Sequence, residues 1–259
     1  PRDHGFWLAS AVFDGARALA GAVPDLDRHC QRLIKSSQLM GMLPSVTVDE
    51  IIKLTWEGIA QFPDDSELYI CPILYPTGGF ITPEPESTEF ILHIGESPLP
   101  SQDGFSACRS SFRRPARDMA PTEAKASCLY PNVARSVREA NEKGFDTGIL
   151  MDPIGNVAEF SYANLFLVLD DKVHTPSING TFLNGITRQR IIQLLRSDGI
   201  EVNERSIGIE ELAQANELFA TGNYAKVTPC TRFEEHALQI GPIYQRAREL
   251  YYKFTENCR

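Results

Sequence analysis

Cysteine is sparse and lacks a ligand-like pattern: Cys30, Cys71, Cys108, Cys128, Cys230 and Cys258 form no CxxC pair and no regular zinc-ligand spacing. That argues against a disulfide scaffold or a compact zinc module, and reduced thiols in a cytoplasmic enzyme are the expectation. Long hydrophobic runs are missing too, and stretches such as LYICPILY are too short to span a bilayer. Basic residues are outnumbered, 25 against 34 acidic, for a net charge of -9, and no tract is dense in lysine and arginine. A general nucleic-acid binder is therefore disfavoured, while a site for a small anion is not. The five histidines are dispersed, with no metal-ligand pattern. No repeat or low-complexity tract stands out. The start has no basic region, hydrophobic run and cleavage site in series. It begins at PRDHGF without methionine, so a trimmed N-terminus is expected and an earlier targeting segment stays open.

What is present is ample core material. An apolar content of 42% over 259 residues can fill one large domain or two smaller ones. Leu26, Leu33 and Met40 recur every seven residues and predict a helix over 26–42, with a second over 48–62. ELYICPILY and EFILHI read as strands, and the turn-rich stretch GESPLPSQDG marks the exit from this half. The expected organisation is a smaller α/β domain over 1–95, a linker over 96–104 and a larger α/β domain over 105–259. In the latter, NVARSVREANEKG reads as a helix; GILMD, VAEF, NLFLVLD and KVHTP read as strands around tight turns. ITRQRIIQLLRSDG is helical, EVNERS and ELFAT follow, and a terminal helix lies in GPIYQRARELYYKF.

Lys125, in PTEAKASCLY, sits among small residues five places before Tyr130. A lysine usually stays hydrated at the surface. In a pocket its amine can form an exchangeable imine with a carbonyl cofactor and then move a proton. Glu159, 34 positions later in GNVAEFSYANLF, reads either as a solvated strand end or as a carboxylate for a ring nitrogen. LNGITR can offer backbone amides and the Thr187 hydroxyl to a phosphate at a helix start, with Gly185 allowing close approach, or can be an ordinary loop-to-helix turn. Arg32 and Asn223 are further phosphate candidates, and Tyr224 is a substrate candidate.

In this order, HCQRL, PTEAKASCLYPN, GNVAEFSYANLFLV, LNGITR and ELFATGNYAKVTP resemble the class IV, or fold type IV, pyridoxal-phosphate aminotransferases, most closely the branched-chain branch. The resemblance runs from SAVFDGAR to the final helix. It implies two α/β domains with the cofactor at their interface, and a homodimer or an assembly of dimers. By the same resemblance Lys125 is the Schiff-base lysine, Glu159 contacts the pyridine nitrogen and Tyr130 lies near the phenolic oxygen. Arg32, Ile186, Thr187 and Asn223 would bind phosphate, Asn223 standing where the best-known branched-chain enzymes have threonine. Phe13, Tyr69, Cys71 and Tyr224 would form the substrate side. Leu8 and Cys71 replace a tyrosine and an arginine of the bacterial enzymes, which leaves Arg113 and Arg114 open as alternatives for the substrate carboxylate or equally as surface ion pairs; Tyr162 replaces a small residue.

The implied reaction moves an amine from a hydrophobic L-amino acid to a 2-oxo acid such as 2-oxoglutarate. A D-amino-acid aminotransferase, an R-selective amine transaminase and an aminodeoxychorismate lyase share the fold. A noncatalytic ligand-binding protein is the reading from a different class. No metal, nucleic acid or membrane partner is expected.

Overall fold

Alternation decides the first sheet. In β3 (Leu68–Pro76) of the computed structural model, which describes residues 2–258, every second residue from Leu68 to Pro76 is buried. Leu68, Ile70 and Leu74 thereby enter a core, while Tyr69, Cys71 and Ile73 share the opposite face. The chain reaches this strand through α1 (His4–Trp7), β1 (Val12–Phe13), β2 (Ala16–Ala18), α2 (Leu26–Leu39) and α3 (Val48–Ile59). β1, β2 and β4 (Thr88–Glu96) all pair antiparallel with β3. Leu26, Cys30 and Leu33 of α2 and Ile51 of α3 fill the core beneath it. A capping box fixes the start of α3: Thr47 Oγ1 accepts from the Glu50 amide at 3.3 Å, and Glu50 accepts from the Thr47 amide at 2.7 Å.

The chain divides into two units. The first holds the segment through Leu99, the return Ala120–Tyr130 and the residues from Thr255; the second holds Pro100–Met119 and Pro131–Phe254. A single cut at 96–104 therefore leaves out the return that carries Lys125. The physical reason is local: Ala124 and Ala126 are fully buried in the first core, and Ala126 bridges Val12.

In the second unit the strands are β5 (Phe105–Arg113), β6 (Thr147–Met151), β7 (Val157–Phe160), β8 (Asn164–Leu169), β9 (Lys172–Pro176), β10 (Val202–Arg205), β11 (Glu217–Gly222), β12 (Lys226–Phe233) and β13 (His236–Ala237). Among the described residues they form one mixed sheet in the order β10-β9-β8-β11-β12-β5-β6-β7, with β13 beside β12. Its two faces follow the strand period: Leu165, Leu167 and Leu218 enter one core, Phe166, Val168 and Phe219 the other. The helices are α4 (Tyr130–Glu142), α5 (Ile186–Ser197), the short α6 (Ile209–Leu212) and α7 (Pro242–Thr255). Ile191 and Leu195 of α5 join Tyr244 and Tyr251 of α7 in the second of these cores.

Candidate active site

Main-chain bonds hold Lys125 in the first unit. Its amide donates to Ser36 Oγ at 3.1 Å, and its carbonyl accepts from the Phe13 amide at 3.1 Å. The side chain is half-buried, and Nζ donates to Tyr130 Oη at 2.5 Å. A short 3-10 turn, Ser127–Leu129, spans the gap between the two residues and brings them together. The same nitrogen lies 4.4 Å from the centre of the Phe13 ring, which itself packs 4.9 Å from the Tyr130 ring. The amine therefore faces aromatic walls and one hydroxyl.

Phe13, Tyr69 and Cys71 lie on one face of the small sheet, because Phe13 pairs with Ile73 and all four occupy the face turned away from the core. Burial, with Cys71 and Tyr130 nearby, pushes the Tyr69 phenol up to about 12. It thus remains a protonated hydrogen-bond donor at neutral pH. Burial also raises the Cys71 thiol, against the opposing charge of Lys125.

Arg32 sits close enough to Tyr130 and Tyr69 for their charges to interact. Its orientation comes from Asp14, a residue that the sequence reading did not single out. Arg32 Nε and Nη2 grip the two Asp14 oxygens at 2.7 and 2.8 Å, and His29 Nδ1 lies 2.7 Å from Oδ1. Burial works against the Asp14 charge, but the Arg32 guanidinium and His29 hold its carboxyl well below the usual carboxylate range. The fork follows from two-point recognition of a carboxylate by a planar guanidinium.

The second unit carries the other candidates. Glu159, buried at 7% exposure, lies 3.4 Å from Arg114 Nε and accepts from Asn164 Nδ2 at 3.3 Å. Arg114, 6% exposed, also donates to the Thr181 carbonyl at 3.1 Å. Arg113 donates to the Pro153 carbonyl at 2.8 Å. Of the two readings open for Arg114, a substrate carboxylate or an ion pair, the structure has the ion pair, buried rather than at the surface, since a buried carboxylate needs compensation of this kind.

Asn164 ties this strand end to the start of α5. Its Oδ1 accepts from the Gly185 amide at 3.1 Å, and its Nδ2 donates to the Leu183 carbonyl at 3.0 Å. A Cβ on Gly185 would lie 2.1 Å from that Oδ1, so no other residue keeps this approach. Gly185 offers no side-chain cap, and the first helical bond runs from the Gln189 amide to the Gly185 carbonyl. The amides of Ile186, Thr187 and Arg188 therefore have no acceptor within the helix, and the helix polarity favours an anion there. Arg188 braces this start from within: fully buried, it donates to the Pro176 carbonyl and to Glu204 at 2.9 Å each.

Asn223 and Tyr224 lie in the β11–β12 turn. Tyr224 lines a cavity of about 150 Å³ together with Tyr162, Ala163, Phe160, Lys226 and Thr228. The Asn223 Nδ2 donor is buried without a partner among the described residues. Leu8 is partly exposed, just beyond α1. Lys125, Tyr130, Arg32, Phe13, Tyr69 and Cys71 thus belong to the first unit, and Glu159, Ile186, Thr187, Asn223 and Tyr224 to the second. No group of histidine, cysteine and acidic residues suited to a metal occurs among the described residues. No described helix is long and apolar enough to cross a membrane.

The amino-transferase class IV family matches residues 11–233. A probable branched-chain-amino-acid aminotransferase of Rickettsia bellii is 32% identical over 227 residues, which cover 86% of this chain and 78% of the relative. The crystal structure of a Brucella abortus aminotransferase bound to PLP superposes with a TM-score of 0.97 at 43% identity, covering 98% of this chain and 92% of that one. The Escherichia coli branched-chain amino acid aminotransferase gives 0.91 at 29% identity, over 98% and 88% of the respective chains.

Proposed function

The chain belongs to the class IV amino-transferase family, with the fold type IV architecture, and from that premise we propose that it transfers an amino group from a hydrophobic L-amino acid to a 2-oxo acid such as 2-oxoglutarate, using pyridoxal 5'-phosphate. When bound, that cofactor supplies an aldehyde for the amine and a ring that absorbs the electron pair left by proton removal. The observation that carries the reading is the Lys125 amine, held 2.5 Å from Tyr130 Oη against the Phe13 ring.

The donor set fits this group. Lys125 would carry it, and Tyr130 would orient its phenolic oxygen. Glu159 would hold a proton on its ring nitrogen, with Arg114 compensating the carboxylate charge. Within the second unit the open amides of Ile186 and Thr187, the Thr187 hydroxyl and Asn223 Nδ2 suit a phosphate dianion, and by the family resemblance Arg32 would be a further donor. In that chemistry Lys125 Nζ would act as the base at the substrate α-carbon and would carry the proton to the cofactor's former aldehyde carbon, across the bridging nitrogen. Its bond to Tyr130 would hold the amine in place for that transfer. Phe13 gives an apolar wall for an aliphatic side chain, and the protonated Tyr69 phenol is a donor for the substrate carboxylate.

A homodimer is part of the proposal, supported by the exposed apolar cluster Phe6, Trp7, Phe80 and Ile81. So is a cytoplasmic location, for which six free thiols speak.

The test is side-by-side turnover of L- and D-amino acids and simple amines with several oxo-acid acceptors. L-leucine, L-isoleucine and L-valine are expected to exceed their D-enantiomers by about 100-fold or more in kcat/KM. Discrimination among the three should stay near tenfold, because single methylenes differ by little in an apolar pocket. Preference for D-acids, or for amines without a carboxylate, would overturn the substrate assignment and leave the cofactor assignment standing. Pyruvate release from aminodeoxychorismate without transamination would select a lyase.

A further inference from the structure

β11 turns into β12 through residues 223–225, and Gly222 pairs with Lys226 to close the hairpin. Lys226 has φ of 60°, in the left-handed region that favours glycine. It is also only 1% exposed, where a lysine ordinarily keeps its ammonium in water. The unfavoured backbone conformation and the lost hydration both have to be offset by what its nitrogen contacts.

That nitrogen donates to Asn223 Oδ1 at 2.7 Å and stands 5.9 Å from the centre of the Tyr251 ring. A lysine ammonium has donors and no acceptor, so only the oxygen end of the Asn223 amide can face it. The Nδ2 end must then point the other way, where it is buried and has no partner among the described residues. A buried donor of this kind is costly unless an acceptor arrives. Register shows which end of the sheet it occupies. Thr221, two residues earlier, pairs with Asn164, and Asn164 Oδ1 accepts from the Gly185 amide directly before the open amides of α5.

We propose that Lys226 is a positioning residue: it fixes the Asn223 amide so that Nδ2 is presented to the cofactor phosphate. The inference rests on the pyridoxal-phosphate reading above. Lys226 itself need not touch the phosphate. A freely rotating asparagine would offer its oxygen to the anion part of the time, and a lysine-locked one does not.

The test is titration of the apoenzyme with pyridoxal phosphate and with pyridoxal, which lacks the phosphate, followed by absorbance. Lys226→Met and Asn223→Ala should each weaken pyridoxal phosphate binding about tenfold, the size of one hydrogen bond to a charged group, and leave pyridoxal within about twofold. The double variant should be no weaker than either single one, because both remove the same contact. Lys226→Gly relaxes the turn while removing the ammonium, so it should lose the same affinity in a folded protein even if the methionine variant does not fold. Equal loss for both ligands, unchanged binding of pyridoxal phosphate, or losses that multiply in the double variant would overturn the proposal. If the unmodified protein binds pyridoxal phosphate no better than pyridoxal, the cofactor reading fails first, and the inference with it.

Discussion

Lys125→Ala is expected to lower steady-state amino-group transfer by about 10⁴-fold or more, because in the proposed chemistry it removes the covalent anchor and the proton carrier together. The fold should tolerate the change. The contacts that seat this segment are main-chain: the Lys125 amide to Ser36 and its carbonyl to Phe13. Ala124 and Ala126, buried on either side, are untouched. Stopped assays over hours, with the thermal midpoint measured in parallel, separate loss of chemistry from loss of structure. Retention of more than about a tenth of the rate in a folded variant would reject the role of Lys125.

Glu159→Gln is the second large effect, expected at about 10²- to 10³-fold in kcat, the usual size for removing one preorganised charge at a reacting centre. This substitution also acts on stability. Glu159 and Arg114 form a buried pair at 3.4 Å, and withdrawing the carboxylate leaves the guanidinium without its counter-charge. Breaking such a pair costs on the order of 3 kcal/mol, which should appear as a lower thermal midpoint. The paired variant Glu159→Gln with Arg114→Met removes both charges and should recover much of the stability, with kcat remaining low. If kcat recovers along with stability, or stays within about threefold of the unmodified enzyme in Glu159→Gln, the acid serves only as the partner of Arg114.

Much of the fold is written in short-range patterns. The apolar spacing of Leu26 and Leu33 corresponds to α2, and the alternation of LYICPILYP to β3. Strands β5 and β12 of the large sheet do not announce themselves. FSACRSSFR in β5 carries too many polar residues for a buried strand, and KVTPCTRF in β12 contains Pro229, which cannot donate to a ladder. β12 accommodates it beside a register shift between Cys230 and Arg232 in its pairing with β5.

The candidate site divides along the same line. Lys125 and Tyr130 are five residues apart, and one short turn suffices to join amine and hydroxyl, so their association is visible in the sequence. The Asp14 grip on Arg32 spans 18 positions and the pairing of Arg114 with Glu159 spans 45. Side chains that meet only after strands have paired leave no local spacing to read. Arg114 looked like a candidate for substrate because its buried partner lies on another strand. Asn223 and Lys226 are close in sequence, yet nothing in GNYAK announces that the lysine turns inward.

The central claim is that Lys125 carries the cofactor. Borohydride reduction of the native holoenzyme, followed by proteolysis and mass mapping, tests it most directly. The expected result is a single modified peptide containing PTEAKASCLY, with the phosphopyridoxyl mass on Lys125 and no label in Lys125→Ala. Label on any other lysine of the native protein, or none at all after saturation with pyridoxal phosphate, would contradict it.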